Sequence, residues 1–267
     1  MALAQPLHNN SVFVGSDAVV ERIALVTGAG SGIGLALVER MLADDNFSII
    51  FAGSRAPENS PDLMRAASRE PRLRLLKLDV TDTLSLKSAC DSMLAAGRLD
   101  LAINTVGVLH TENGMRPEKS LADINFDDML LALDVNALSL MRLAIALEPL
   151  LCASRKPQFI SLSARVGSIE DNRLGGWYAY RASKAALNML LRTLAIEWAR
   201  KMPQVSCVAL HPGTVATELS APFTNNNPDQ KVFRPTEAAD HLLEVIDQLG
   251  PDQNGGFYAW DGKEVPW

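Results

Sequence analysis

Short apolar runs recur along the chain, separated by longer stretches in which apolar positions return every three or four residues. The runs are Ile23-Ala24-Leu25-Val26, Ile49-Ile50-Phe51-Ala52, Leu73 to Leu78, Leu101-Ala102-Ile103, Phe159-Ile160, Val205 to Leu210 and Phe257-Tyr258-Ala259. Unbroken apolarity, rather than alternation, predicts strands covered on both faces. The stretches near 32–44, 83–96, 126–154, 178–201 and 235–249 predict helices. Asp127-Asp128 opens the third and Pro235-Thr236-Glu237 the fifth, residue types favoured in a first helical turn. Strand and helix in regular alternation predict an α/β fold, with a parallel sheet joined by right-handed crossovers and covered by helices on both faces.

Residues 1–21 show no clear period and are read as an N-terminal arm. No repeat, low-complexity tract or linker divides 22–267, and a chain of 267 residues is within the reach of one α/β domain. Hydrophobic residues at 48% and charged residues at 21% exclude disorder and fibrous classes. A net charge of −6 leaves no electrostatic footprint for nucleic acid or an anionic membrane, so a small-molecule partner is expected. Cys90, Cys152 and Cys207 lie far apart, outside any CxxC or Cys/His spacing, and are read as reduced core residues. No His/Asp/Glu constellation suggests a metal. The opening residues lack the basic and apolar parts of a secretory signal, and no stretch reaches about 18 uninterrupted apolar residues. A cytoplasmic protein without a membrane span is expected.

Directly after the first predicted strand comes Thr27-Gly28-Ala29-Gly30-Ser31-Gly32-Ile33-Gly34, running into the apolar helix Leu35-Ala36-Leu37-Val38. Amides at a helix N-terminus point at a bound phosphate, and glycines let the main chain approach where a Cβ would collide. Strand before and helix after make this a dinucleotide-binding signal rather than a packing turn. The second strand ends Gly53-Ser54-Arg55, with no acid to take a ribose 2′-hydroxyl. The Arg55 guanidinium suits a 2′-phosphate, so NADP (NADPH) is expected over NAD; the alternative is a solvated surface arginine.

Farther on, Tyr180 and Lys184 stand one helical turn apart in Tyr178-Ala179-Tyr180-Arg181-Ala182-Ser183-Lys184. An ammonium beside a phenol favours the phenolate. Taken alone, the spacing also fits an ordinary amphipathic helix.

With these motifs in order, the chain from about Ile23 to its end resembles the short-chain dehydrogenase/reductase family. The glycine motif, Asp79-Val80 after the third strand, Asn104-Thr105-Val106-Gly107 after the fourth, Asn136, Tyr180 with Lys184, and Pro212-Gly213-Thr214-Val215-Ala216-Thr217 carry the resemblance. The stretches Val166-Gly167-Ser168-Ile169, Gly175 to Asn188 and Trp260-Asp261-Gly262-Lys263 are similar to the C-factor-like branch, related to carbonyl reductases. The resemblance implies a Rossmann-type, doubly wound parallel sheet of about seven strands. It further implies hydride transfer between nicotinamide and a carbonyl or alcohol.

By the same resemblance, Tyr180 would be the general acid/base, Lys184 would lower its pKa and hold the ribose, and Asn136 would anchor a water relay. Asp79 would accept from adenine. Asn104 and the Pro212 to Thr217 segment, with Gly213, Val215 and Thr217, would line the adenosine and carboxamide ends, beside Val80 and Gly107. The family's substrate-binding serine stands three residues before a glycine, where this chain has Ala164 before Gly167. Ser163 is the candidate in its stead, with Ser161 and Ser168 as alternatives. Thr105-Val106 replaces the family's Asn-Ala. His110 and His211 lack a partner at catalytic spacing and are read as structural.

The stretch near 214–234, asparagine-rich and without period, is read as a substrate loop. Trp177, Leu219 and Phe223 are candidates for an apolar wall beside an uncharged aldehyde or ketone. The helices near 126–154 and 178–201 are richer in apolar residues than one buried stripe needs, so a homodimer or homotetramer is expected. The competing reading is a dinucleotide-binding regulatory protein, C-factor-like, with little turnover.

Overall fold

The computed structural model describes residues 21–224 and 231–267. Apart from Glu21, the arm expected at 1–21 lies outside them, as does part of the expected substrate loop. In chain order the elements are β1 (Arg22–Thr27), α1 (Gly32–Leu42), β2 (Phe47–Ser54), α2 (Pro61–Arg69), β3 (Leu73–Lys77), α3 (Thr83–Met93) and β4 (Leu101–Asn104). Next come α4 (Phe126–Leu133), a π turn (Asp134–Leu138), α5 (Ser139–Cys152), β5 (Gln158–Leu162), α6 (Tyr178–Lys201) and β6 (Ser206–His211). Last are β7 (Thr214–Val215), α7 (Ala221–Thr224), β8 (Val232–Phe233), α8 (Pro235–Gln248) and β9 (Phe257–Ala259).

Seven of the strands form one sheet in the order β3-β2-β1-β4-β5-β6-β9, every pairing parallel. This is the doubly wound Rossmann-type sheet. Side chains alternate across it, so Ile23 and Leu25 join one apolar cluster with α3, α5 and α6, while Ala24 and Val26 join another with α1 and α8. Each strand therefore needs apolar residues at every position, which is why the pattern is unbroken. Trp198 of α6 is fully buried and meets Phe159 edge-on at 5.3 Å. Burial of each large apolar side chain contributes about 1.5–3 kcal/mol. The expectation of core cysteines is met for Cys207 but not for Cys152, which is exposed at the end of α5.

The order reverses between β1 and β4, and ligands bind such sheets in the crevice at that switch point. The glycine turn leaves β1 there, and Asn104 ends β4 beside it. Asn104 Oδ1 accepts from Thr27 Oγ1 at 2.8 Å and its Nδ2 donates to Ser161 Oγ at 3.3 Å, tying β1, β4 and β5 together at the rim.

Three differences from the sequence reading have local causes. α2 was not anticipated because it is short and mostly polar, its narrow apolar stripe being Leu63, Ala66 and Ala67; Ser60-Pro61-Asp62 was its available start signal. The helix read across 126–154 is interrupted by one π turn carrying the buried Asn136, and such turns cluster at functional sites. The loop near 214–234 contains β7 and β8, which pair parallel as a small second sheet. The continuous helical run Phe126–Cys152 is long and apolar enough to cross a membrane, but α4 and α5 pack against α3 and α6.

Candidate active site

The turn after β1 is shaped by glycine at two points. Gly28 has φ +73°, a left-handed conformation that favours glycine. A Cβ on Gly34 would stand 2.2 Å from the Gly28 carbonyl oxygen, so nothing larger fits where α1 closes on the turn. Thr105 also packs there, its hydroxyl donating to Thr27 O at 2.7 Å. That contact is what threonine makes in place of the family's asparagine. The N-cap of α1, Ser31, makes no side-chain cap bond, which leaves the first-turn amides directed at the crevice.

Two of the other expected cofactor residues, Ser54 and Thr217, pack against this turn. Ser54 Oγ lies 2.9 Å from where a Cβ of Gly30 would stand, and Thr217 Cγ2 lies 3.2 Å from that of Gly32. Ile33 and Val215 border the same apolar cluster, beside which Gly213 packs on Phe233 and Trp260. Pro212 follows β6 directly. Val80, next to Asp79 after β3, is buried. There a cavity of about 390 Å³ is lined by Arg55, Lys77, Asp79, Asp82, Ser85 and Ser88. Asp79 accepts from the Thr81 amide and hydroxyl at 2.9 and 2.7 Å. Burial raises its carboxyl, but those bonds and the Arg55 charge together hold it below the usual carboxylate range. Phosphate-facing amides, close-packed glycines and an exposed arginine at the end of β2 fit a phosphorylated dinucleotide.

At the other end of the crevice α6 presents Tyr180 and Lys184. Lys184 is 3% exposed, its Nζ donates to Leu162 O at 2.9 Å and stands 5.8 Å from the Tyr180 ring centre. A Cβ on Gly107 would lie 3.4 Å from Lys184 Nζ and 3.3 Å from Asn136 Oδ1, so glycine keeps this space open. Asn136 is held by Val108, whose amide donates to Oδ1 at 2.7 Å and whose carbonyl accepts from Nδ2 at 2.9 Å; Nδ2 also donates to Ser183 Oγ at 2.9 Å. The π turn points Asn136 across to that loop.

Burial pushes the Tyr180 phenol up to about 12 and the Lys184 ammonium down to about 8. The depression of the tyrosine expected from its lysine neighbour is therefore not present: desolvation of both groups outweighs their attraction at this separation. Around neutral pH the pair is a phenol beside a mostly protonated amine.

Ser163 is engaged one turn farther along α6. Its hydroxyl donates to Asn188 Oδ1 on α6 at 2.7 Å, and the residue is 4% exposed. The alternatives are engaged too, Ser161 with Asn104 and Ser168 with Trp267 O at 3.2 Å. Asn188 escaped the sequence reading although it repeats the four-residue spacing from Lys184. Of the three residues expected to form an apolar wall, two come together: Trp177 meets Tyr180 at 6.2 Å and Phe223 at 5.2 Å, and Phe223 meets His110 at 5.9 Å. His110 Nε2 contacts Glu218 O at 3.1 Å, joining the loop after β4 to the segment before α7. His211 is half-buried and pushed down to about 4, by desolvation first and by Arg165 against the opposing Asp261.

The model of the short chain dehydrogenase family matches residues 22–228. The chain belongs to the short-chain dehydrogenase/reductase family. It is 34% identical to C-signal of Myxococcus xanthus over 65% of this chain and 96% of that one. It is 31% identical to 1-hydroxy-2-glutathionyl-2-methyl-3-butene dehydrogenase of Rhodococcus sp., over 91% of this chain and 98% of that one. Among solved structures, NADPH-bound carbonyl reductase from chicken fatty liver superposes with a TM-score of 0.82 at 31% identity, covering 92% of this chain and 99% of the other. These relatives place the chain in the carbonyl reductase and C-factor-like part of this oxidoreductase family.

Proposed function

We propose that the protein is an NADP-dependent reductase of small, uncharged aldehydes and ketones, with Tyr180 as the proton donor. The observation that carries this reading is the buried phenol of Tyr180 between Lys184 and the Trp177–Phe223 wall. When bound, NADPH supplies the hydride. A phenol held up to about 12 is protonated at neutral pH and ready to donate to the developing alkoxide oxygen. Lys184 stabilises the phenolate left behind, and Asn136, anchored on Val108, borders the route for its reprotonation. Gly28 to Gly34 hold the pyrophosphate, and Arg55 with Ser54 holds the 2′-phosphate. The aromatic wall favours an apolar substrate face.

The test is substrate-dependent NADPH oxidation by the wild type and by Tyr180→Phe over a panel of uncharged and acidic carbonyl compounds. Turnover on the uncharged members, reduced about 100-fold or more in the variant while NADPH still binds, is the expected result. Activity only on acidic substrates would reject the substrate class.

One observation favours a second reading. Ala164 offers no hydroxyl at the family's substrate-binding position, and Ser163 is committed to Asn188. A dinucleotide-binding regulatory protein with little turnover, in keeping with the similarity to C-signal, needs no such hydroxyl. Tight NADPH binding without turnover across the panel selects it.

A further inference from the structure

The chain enters α6 through Gly175 (φ +66°), Gly176 (φ +63°) and Trp177 (φ +53°), three successive left-handed residues. Trp177 is the one non-glycine residue with positive φ among the described residues. A bulky L-residue persists in this conformation only where its surroundings over-determine it. The helix does not supply that constraint itself. Its N-cap, Trp177, makes no side-chain cap bond, and its first turn contains no acid.

The constraint comes from Glu118, a residue 4% exposed in the loop after β4. Both of its carboxylate oxygens lie 3.3 Å from the Ala179 amide nitrogen. Its main-chain carbonyl accepts from the Trp177 amide at 2.6 Å. A Cβ on Gly176 would stand 3.2 Å from that same carbonyl oxygen, which accounts for the glycine. Arg181 braces the turn from the other side, its Nε donating to Gly176 O at 3.1 Å and its Nη1 to Val166 O at 3.3 Å. The Glu118 carboxylate thus meets an amide at the positive end of the α6 dipole, a favourable place for a buried negative charge.

A serine or aspartate at position 177 would cap the helix locally. Trp177 instead faces Tyr180 and Phe223 in the crevice, so the cap is delivered from another segment. We propose that Glu118 is a positioning residue for the reaction. By holding the Ala179 and Trp177 amides it sets the first turn of α6, and with it the orientation of the Tyr180 phenol and the Trp177 wall. This rests on the reductase reading above.

The test uses the full chain carrying Glu118→Ala or Glu118→Gln, assayed well below the melting temperature of the weaker variant. The Ala variant should lose about ten-fold or more in kcat for ketone reduction, as misplacement of a reacting group does. Its Kd for NADPH should stay at the wild-type value, because the phosphate turn is untouched. Glutamine keeps an acceptor oxygen at the same reach, so the Gln variant should recover most of the lost kcat. If the Ala variant does not fold, Glu118→Asp, one methylene shorter, replaces it with the same expected loss.

Amide hydrogen exchange over residues 175–182 reads the clamp without turnover. Faster exchange there in the Ala or Asp variant, reversed in the Gln variant, is expected even if no carbonyl compound proves to be a substrate, so failure of the reductase reading is seen separately. Wild-type kcat in the Ala or Asp variant, a Gln variant no better than Ala, or unchanged local exchange would each overturn the proposal.

Discussion

The Ser163 hydroxyl donates to Asn188 Oδ1 at 2.7 Å, linking the end of β5 to the α6 helix rather than to the crevice. Removing it leaves Asn188 with an unpaired buried acceptor, which costs about 1–3 kcal/mol. Ser163→Ala should therefore lower the melting temperature while keeping most of the wild-type kcat/KM. A loss of kcat/KM as large as that of Tyr180→Phe would restore a catalytic role to Ser163.

By the family resemblance, position 164 is where a hydroxyl would meet the substrate oxygen. Ala164→Ser should raise kcat on a good ketone by about ten-fold, a fraction of what one preorganised donor to a developing oxyanion contributes. Steady-state kinetics with NADPH checks this. No gain would mean that the β5–α6 loop does not present this position to the substrate.

The pH profile follows from Lys184. Burial lowers its folded-state pKa to about 8, so the ammonium is present below that value and lost above it. Tyr180, raised to about 12, remains a phenol through this range. The rate of carbonyl reduction should be flat near neutrality and fall above pH 8, by about ten-fold per unit once the single proton is gone. A profile level to pH 10 would show that the charge of Lys184 is not needed.

Arg55 tests the choice of dinucleotide. Arg55→Ala should weaken NADPH binding by about ten-fold or more and leave NADH binding unchanged, because a charge-assisted contact to the 2′-phosphate is absent from NADH. Fluorescence titration gives both dissociation constants. An unchanged ratio would make Arg55 a solvated surface residue.

Self-association draws on another face. Phe126, Leu130 and Ile145 on α4 and α5, and Met189 and Ile196 on α6, are exposed apolar residues on packed neighbouring helices. Light scattering at micromolar concentration should give a dimer or tetramer, and Ile145→Lys with Met189→Lys should shift it to monomer. A wild-type monomer would contradict the expectation.

Much of the architecture was legible in the chain. Doubly covered strands must be apolar at every position, helices return to one face every turn, and a glycine-rich turn between them has few uses. Those are local constraints, and they located the sheet, the phosphate turn and the Tyr180–Lys184 pair one turn apart. α2 escaped because nine mostly polar residues, with only Leu63, Ala66 and Ala67 facing the core, give too short and weak an apolar stripe.

What only the tertiary structure decided depends on partners far along the chain. The direction of the Ser163 hydroxyl was set by Asn188, whose place one turn after Lys184 does not say what it meets, and the cap of α6 by Glu118, which no local spacing rule marks. The rise of the Tyr180 pKa reflects how much solvent the whole fold removes from around it, against one cation held 5.8 Å from its ring centre. Periodicity records which face of an element is buried. It carries no information on which distant group will meet a given hydroxyl, carboxylate or phenol once that face is covered.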